Sequence, residues 1–212
     1  MGADLLTGFA PVAIAVAPDV VLLRQFVDTQ PLRAAIGDVV VLAPFRHLTT
    51  PNRGTMSVAI SNVGEQGWHS DIKGYRYVGV DPMTGRTWPT MPANFSDLAQ
   101  RAAAAAGFLD FNPNCCLINR YAIGAKMGTH RDQDEANFSH PIVSVSIGLP
   151  AVFVWHGAVR TGTSIPVPVE DGDILVWGRS ARLGYHAVRA LKADSRMSVP
   201  PFRYNLTFRR TN

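Results

Sequence analysis

The chain has 212 residues, 47% of them apolar, and a mean hydropathy of +0.06. That length supports one sizeable domain rather than two independent cores, and no apolar run approaches the roughly 18 residues that a membrane span needs. Twenty Lys and Arg against sixteen Asp and Glu leave a net charge of +4 and a pI near 9.4, an excess that suits a polyanionic partner without requiring one.

Taken in chain order, the first apolar segment is GFAPVAIAVAPDVVLL, residues 8–23. It lacks the cationic head of an export signal and is broken by Pro11, Pro18 and Asp19, so it reads as an arm leading into a strand, VVLLRQF. The rest of the first half looks loop-rich, with one good helix in NFSDLAQRAAAAAGF, Ser96 as its N-cap and Gly107 as its stop. From residue 115 short β-type runs follow one another: CCLINRYA, PIVSVSIGL, AVFVWHG, SIPVPVE, DILVWG, YHAVRAL and FRYNLTFRR, with EDGD as the clearest turn. Strands this short and this evenly spaced predict a barrel or two-sheet jelly roll with the helix packed outside it. Cys115 and Cys116 are adjacent, a spacing poorly suited to bridging each other, which points to a reducing compartment and a cytoplasmic location.

The chemistry concentrates in GTHRDQDE, residues 128–135. If THRD is extended, His130 and Asp132 share a face and can chelate a divalent cation. A third ligand from a distant strand would complete two histidines and a carboxylate, the facial set that leaves open positions on non-haem Fe(II). Taken alone, HRDQDE reads more simply as a solvated polar loop, and spacing does not select the third ligand among His47, His69, His140, His156 and His186. His186 is the best placed, because RLGYHAVRAL reads as a strand close to the C-terminal one in a barrel-like order.

That C-terminal strand alternates Phe202, Tyr204, Leu206 and Phe208 with Arg203, Asn205, Thr207 and Arg209, while CLINRYA sets Leu117, Asn119 and Tyr121 on one face. Polar rows facing a barrel interior must be satisfied there. A small dianion held by arginine forks would do so.

The ordered set CLINRYAIGAKMGTHRDQDE, PIVSVSIGLPAVF, DGDILVWG, RLGYHAV and RYNLTFR, preceded by TMSVAISNVGEQGW, GYRYVGVDPMTGRTWPTMP and LAQRAAAAAG, resembles the AlkB family of Fe(II)- and 2-oxoglutarate-dependent dioxygenases over most of the chain. The resemblance implies a mainly β (α+β) fold, a double-stranded β-helix (jelly roll) with an N-terminal helical and loop extension. It also implies a single dioxygenase domain over 1–212, with nucleotide recognition in about 1–110 and the metal-binding core in about 111–212. It selects His130, Asp132 and His186 as iron ligands, and Asn119, Tyr121, Arg203, Asn205 and Arg209 as the 2-oxoglutarate site, with Arg203 on the distal carboxylate and Arg209 nearer the metal. These three ligands and Arg209 are the implied catalytic set.

Trp68, Tyr75, Tyr77, Asp134 and Arg160 correspond to positions that hold the methylated base and its flanking backbone, and Arg76, Arg131 and Arg160 are candidates for phosphates. The implied reaction uses Fe(II), 2-oxoglutarate and O2 to demethylate bases such as 1-methyladenine and 3-methylcytosine, releasing formaldehyde and succinate. The implied partner is single-stranded DNA or RNA carrying N-methylated bases, met by a monomer away from any membrane. Arg131, Gln133 and Ile123 depart from the family pattern and bear on the substrate rim. The same chemistry on a protein, tRNA or small molecule is the nearest alternative, and a jelly-roll binding protein with a structural metal is the alternative from another class.

Overall fold

The computed structural model describes residues 12–193 and 202–212; the part of the N-terminal arm up to Pro11 lies outside the described residues. In chain order the elements are β1 (Ala13–Ala17), β2 (Val20–Leu23), α1 (Gln30–Leu42), β3 (Arg46–Thr49), β4 (Thr55–Gly64), β5 (Gly67–Asp71), β6 (Gly74–Val78), α2 (Ala93–Ala105), β7 (Cys115–Tyr121) and β8 (Met127–His130). They continue with β9 (Ile142–Gly148), β10 (Ala151–Gly157), β11 (Ile165–Val169), β12 (Ile174–Trp177), β13 (Tyr185–Val188) and β14 (Arg203–Arg209).

Two antiparallel sheets form the jelly roll. The larger runs β1-β2-β12-β9-β14-β7-β4-β3, the smaller β11-β10-β13-β8, and β5 and β6 make a separate hairpin. Every strand expected from residue 115 onward is present, as is the early one at β2. Strands that precede residue 110 occupy four places in the larger sheet, so the sheet is built from both halves of the chain. Among the described residues no helix is long and apolar enough to cross a membrane.

The first half is more regular than a loop-rich reading allows. Helix α1 carries Leu32, Ile36 and Val39 on its buried face, a spacing of one helical stripe. Its internal Gly37 and its VVV run lower intrinsic helix propensity, so the local signal is weak and packing against the sheet decides the element. In α2 the expected N-cap is displaced. Pro92 holds the cap position, with φ −57° and ψ 140°, and Ser96 lies inside the first turn, its Oγ donating to the Ala93 carbonyl at 3.0 Å. The stop at Gly107 holds: with φ +83° it lets Phe108 N–H reach the Ala103 carbonyl and Gly107 N–H that of Ala104, both at 2.9 Å, the paired bonds of a Schellman ending.

Both helices pack on the outer face of the larger sheet. Phe95, Leu98, Ala99 and Ala102 of α2 join Ile36 of α1, Val143 and Val145 of β9, and Leu206 and Phe208 of β14 in one cluster. The alternate residues of β14 therefore face the space between the sheets, as period-two geometry requires. Phe95 is fully buried and meets Phe208 edge to face at 5.9 Å. Replacing Phe95 by alanine is expected to destabilise the fold by about 3–5 kcal/mol, read as a lower urea midpoint with an unchanged slope. A second cluster, including Tyr121, Phe153, Trp155 and Trp177, fills the space between the sheets.

Candidate metal and keto-acid site

A cavity of about 530 Å³ opens between the two sheets. On its floor β8 and β13 lie side by side with His130 directly paired to His186, so two residues far apart in sequence are set together by strand register. This also corrects the expected strand order. β13 is not beside β14; it faces it from the smaller sheet, which is what puts an imidazole and the arginine row on opposite walls of one cavity. The strand anticipated for THRD ends at His130, and Asp132 arrives on the irregular segment that follows.

The histidines are oriented identically. His130 Nδ1 lies 2.8 Å from the Gly128 carbonyl and His186 Nδ1 3.0 Å from that of Gly184. A carbonyl only accepts, so each Nδ1 carries a proton, which makes Nε2 the ligating nitrogen of the neutral ring. Asp132 sends Oδ1 to within 3.9 Å of His130 Nε2 and Oδ2 to within 3.8 Å of His186 Nε2. These separations are too long for hydrogen bonds. All three ligating atoms lie within 4.8 Å of one another, close enough to share a cation.

Electrostatics favour the metal-binding protonation states. Phe153, Trp155 and Trp177 surround the His186 ring; burial, reinforced by nearby His130, drops its pKa to about 4 and keeps it neutral. Burial would raise the Asp132 carboxyl, but Arg209 and the two imidazoles outweigh it and hold the group ionised. Arg209 Nη2 comes within 2.7 Å of Asp132 Oδ2 without the alignment of a hydrogen bond, so that buried oxygen has no hydrogen-bond partner among the described residues. The other histidines are engaged elsewhere: His47 on the Met56 carbonyl, His69 beside Asp71, His140 against Phe111, and His156 near Thr129.

The opposite wall is the polar row of β14 with its β7 neighbours. Register pairs Arg203 with Tyr121 and Asn205 with Asn119. Asn205 donates to Ser144 Oγ at 2.8 Å, and its own oxygen accepts from Thr207 at 2.9 Å. The two arginines differ in their surroundings. Arg209 is compensated by Asp132 and by Glu135, whose Oε1 is 3.0 Å from its Nε. Arg203, 2% exposed, donates one bond to Ser146 Oγ at 3.1 Å and lies over the Tyr121 ring, while its Nε and Nη1 have no partner among the described residues. Burial lowers its pKa, and only the Tyr121 hydroxyl opposes that.

The hairpin β5–β6 stands at the cavity mouth. Trp68 and Tyr75 stack at 5.5 Å and 14°, and Trp68 Nε1 donates to Asp134 Oδ2 at 2.8 Å; these three and the exposed Arg160 line the cavity. Arg76 lies on the other face of the hairpin, forked onto Asp71 at 2.9 and 2.7 Å, and does not line the cavity. Alternation along β6 turns it away from Tyr75. Tyr77 shares Tyr75's face but reaches past the cavity wall, donating to Glu135 Oε1 at 3.1 Å. Arg131 and Gln133 are at the rim, bonded to each other, with Arg131 over the Tyr185 ring. Ile123 is exposed outside the cavity wall.

Sequence reasoning missed Ser144 and Ser146, although they are the only polar positions in the apolar strand IVSVSIG and so signalled an inward polar face. It also assigned no role to Glu135, although that residue closes the acidic run GTHRDQDE, and it missed Arg182, which carries no local signal.

Residues 19–209 match the 2OG-Fe(II) oxygenase superfamily. The α-ketoglutarate-dependent dioxygenase AlkB of Salmonella typhimurium is 46% identical over 208 residues, covering 97% of this chain and 96% of the relative. The chain belongs to the AlkB group of the 2OG-Fe(II) oxygenases. The human nucleic acid dioxygenase ALKBH1 is 33% identical over 97 residues, 46% of this chain and 25% of that protein. The solved structure of OsALKBH1 superposes with a TM-score of 0.81 at 27% identity, covering 94% of this chain and all of that one.

The oxygenase works with Fe(II), 2-oxoglutarate and O2. Its residues fit these groups on structural grounds: two imidazole lone pairs and a buried carboxylate oxygen converge where a cation would sit, and Arg203 turns unpaired donors into the same cavity.

Proposed function

We propose that the enzyme oxidatively demethylates N-alkylated bases in single-stranded DNA or RNA, with His130, Asp132 and His186 holding iron, and Asn119, Tyr121, Arg203, Asn205 and Arg209 holding 2-oxoglutarate. The observation that carries the substrate is the stacked Trp68–Tyr75 pair, with Asp134 bonded to the indole, at the mouth of a cavity whose floor is the two-histidine, one-carboxylate cluster. The names of the relatives, a nucleic acid dioxygenase among them, agree with it.

A base methylated at adenine N1 or cytosine N3 cannot form its Watson–Crick pair, so it leaves the stack at lower cost than a normal base. It is also cationic. The aromatic faces of Trp68 and Tyr75 attract such a ring by stacking and cation–π terms, and the Asp134 carboxylate favours its positive charge. Arg160, with Lys126 and Arg131 on the rim, meets the flanking phosphates, so binding weakens with salt. Arg76 and Tyr77 support the hairpin through Asp71 and Glu135 in this reading rather than touching the base.

Bound Fe(II), with 2-oxoglutarate and O2, supplies the oxidation that hydroxylates the N-methyl carbon. The protein's own contribution is positional. Arg203 and the amides orient the keto-diacid from the β14 wall, while the hairpin holds the methyl group over the ligand cluster. That oxidation converts 2-oxoglutarate to succinate and CO2; the hydroxymethyl group then loses its hydroxyl proton, and its carbon–nitrogen bond breaks with the electrons returning to the ring nitrogen, releasing formaldehyde and the restored base. Cys115 and Cys116, both buried and unbridged, suit a reducing, cytoplasmic setting, and one chain supplies every residue invoked, so a monomer suffices.

Formaldehyde release from oligonucleotides carrying 1-methyladenine or 3-methylcytosine is the test. Release that depends on Fe(II) and 2-oxoglutarate supports the assignment; consumption of 2-oxoglutarate with no formaldehyde from either oligonucleotide refutes it. In the same assay Trp68→Ala is expected to raise the KM for the oligonucleotide about 10- to 100-fold, the size of one lost stacking and cation–π contact, leaving the KM for 2-oxoglutarate within about twofold.

A further inference from the structure

The segment that delivers Asp132, residues 131–141, has no regular secondary structure. It does not join either sheet, yet it must set a carboxylate against two histidines held by strand pairing. Few backbone bonds hold it: Ala136 N–H donates to the Thr211 carbonyl at 3.0 Å, and Ser139 N–H to the nearby Asn137 side chain.

One guanidinium does most of the rest. Arg182 is 2% exposed; its Nη1 donates to the Asp132 carbonyl at 3.1 Å, its Nε to the His140 carbonyl at 3.0 Å, and its Nη2 lies 3.4 Å from Glu135 Oε2. The two carbonyls mark the two ends of the irregular segment, and Glu135 lies between them. The group also sits over the Phe138 ring at 5.3 Å. Arg182 itself follows the 3-10 turn Arg179–Ala181 and precedes His186 by four residues, and Gly184, which orients His186, lies between them.

We infer that Arg182 is a positioning residue for the metal centre, clamping the Asp132 segment onto the turn that carries His186 and so setting the distance between those two ligands. The inference rests on the reading of His130, Asp132 and His186 as iron ligands. A planar fork with several fixed N–H groups can bind two carbonyls and a carboxylate at once, which the single ammonium of lysine cannot reproduce. Without it the Asp132 carbonyl loses its side-chain donor, and Glu135 keeps, among the described residues, only Arg209 and Tyr77 as partners, drawing Arg209 away from Asp132.

The test is Fe(II) binding by anaerobic equilibrium dialysis of the apoprotein, with neither 2-oxoglutarate nor nucleic acid present, alongside thermal unfolding of each apo variant. Wild type is expected to bind one Fe(II) per chain. Arg182→Met is expected to bind it about 10- to 100-fold more weakly, the usual effect of removing an outer partner of a metal ligand, and Arg182→Lys to fall between the two. Arg179→Met, on the same turn but bonded to the Gly107 carbonyl and Asp19, is expected to bind as wild type does. Because affinity is compared among folded apoproteins, a role confined to stability would shift the unfolding midpoint and leave affinity unchanged. If Arg182→Met does not fold, the lysine variant decides. Wild-type affinity in folded Arg182 variants overturns the clamp while the ligand assignment stands; no stoichiometric binding by wild type overturns the ligand assignment and the clamp with it.

Discussion

Asp132→Ala is expected to lower kcat/KM for formaldehyde release by about three orders of magnitude or more, equivalent to roughly 4 kcal/mol of transition-state stabilisation. Asp132 is the only carboxylate in the ligand cluster, and it gives one oxygen to each histidine. Its loss also leaves Arg209 2.7 Å from a position that no longer carries a counter-charge, so a cation would have to enter beside a guanidinium that keeps Glu135 as its remaining acidic partner among the described residues. Fe(II) affinity should therefore fall more than the removal of one ligand alone would cause. The apo fold should survive, because Asp132 lies outside both hydrophobic clusters. Circular dichroism of the apoprotein together with metal dialysis checks both statements. Wild-type turnover in a folded Asp132→Ala variant would remove the metal site from the mechanism.

Arg203→Met is expected to raise the KM for 2-oxoglutarate about 100-fold or more while changing the KM for the oligonucleotide little. Arg203 is buried with two unpaired donors and no acidic partner among the described residues. Hydrogen bonds to charged groups contribute about 1.5–3 kcal/mol each, and a carboxylate of the keto-diacid would accept two of them. Arg203→Lys is expected to restore only part of the affinity, because a point charge does not reproduce the fork. Arg209 behaves differently. Its charge is already matched by Asp132 and Glu135, so Arg209→Lys should disturb metal binding as well as 2-oxoglutarate binding. Kinetics with 2-oxoglutarate varied at saturating oligonucleotide separate the two arginines; equal effects on both KM values from Arg203→Met would mean that Arg203 does not hold the cosubstrate.

What each stage of reasoning could reach depended on whether the signal was local. The strands after residue 115, the turn at EDGD and the Gly107 helix stop follow from short-range pattern and turn chemistry, and each is where it was expected. Helix α1 was not legible, because its glycine and β-branched run disguise an element that exists by packing its Leu32–Ile36–Val39 face. Ser96 looked like a cap, but Pro92, with its fixed φ, opens the helix four residues earlier than a cap there would require. Arg76 looked like a phosphate ligand, and alternation along β6 turned it to Asp71 instead.

By itself the sequence determined that β14 has one polar and one apolar row, that His130 and Asp132 stand two residues apart in one acidic run, and which family its ordered motifs resemble, since each of these is written in contiguous residues. The tertiary structure decided that the polar row faces the cavity and that His186 stands opposite His130. It also decided that Arg203 is the cation left uncompensated and that Arg182 grips the Asp132 segment. Those facts depend on which strands pair and which faces are covered, and strand pairing across more than fifty residues has no local signature: it emerges only when the apolar faces are buried together.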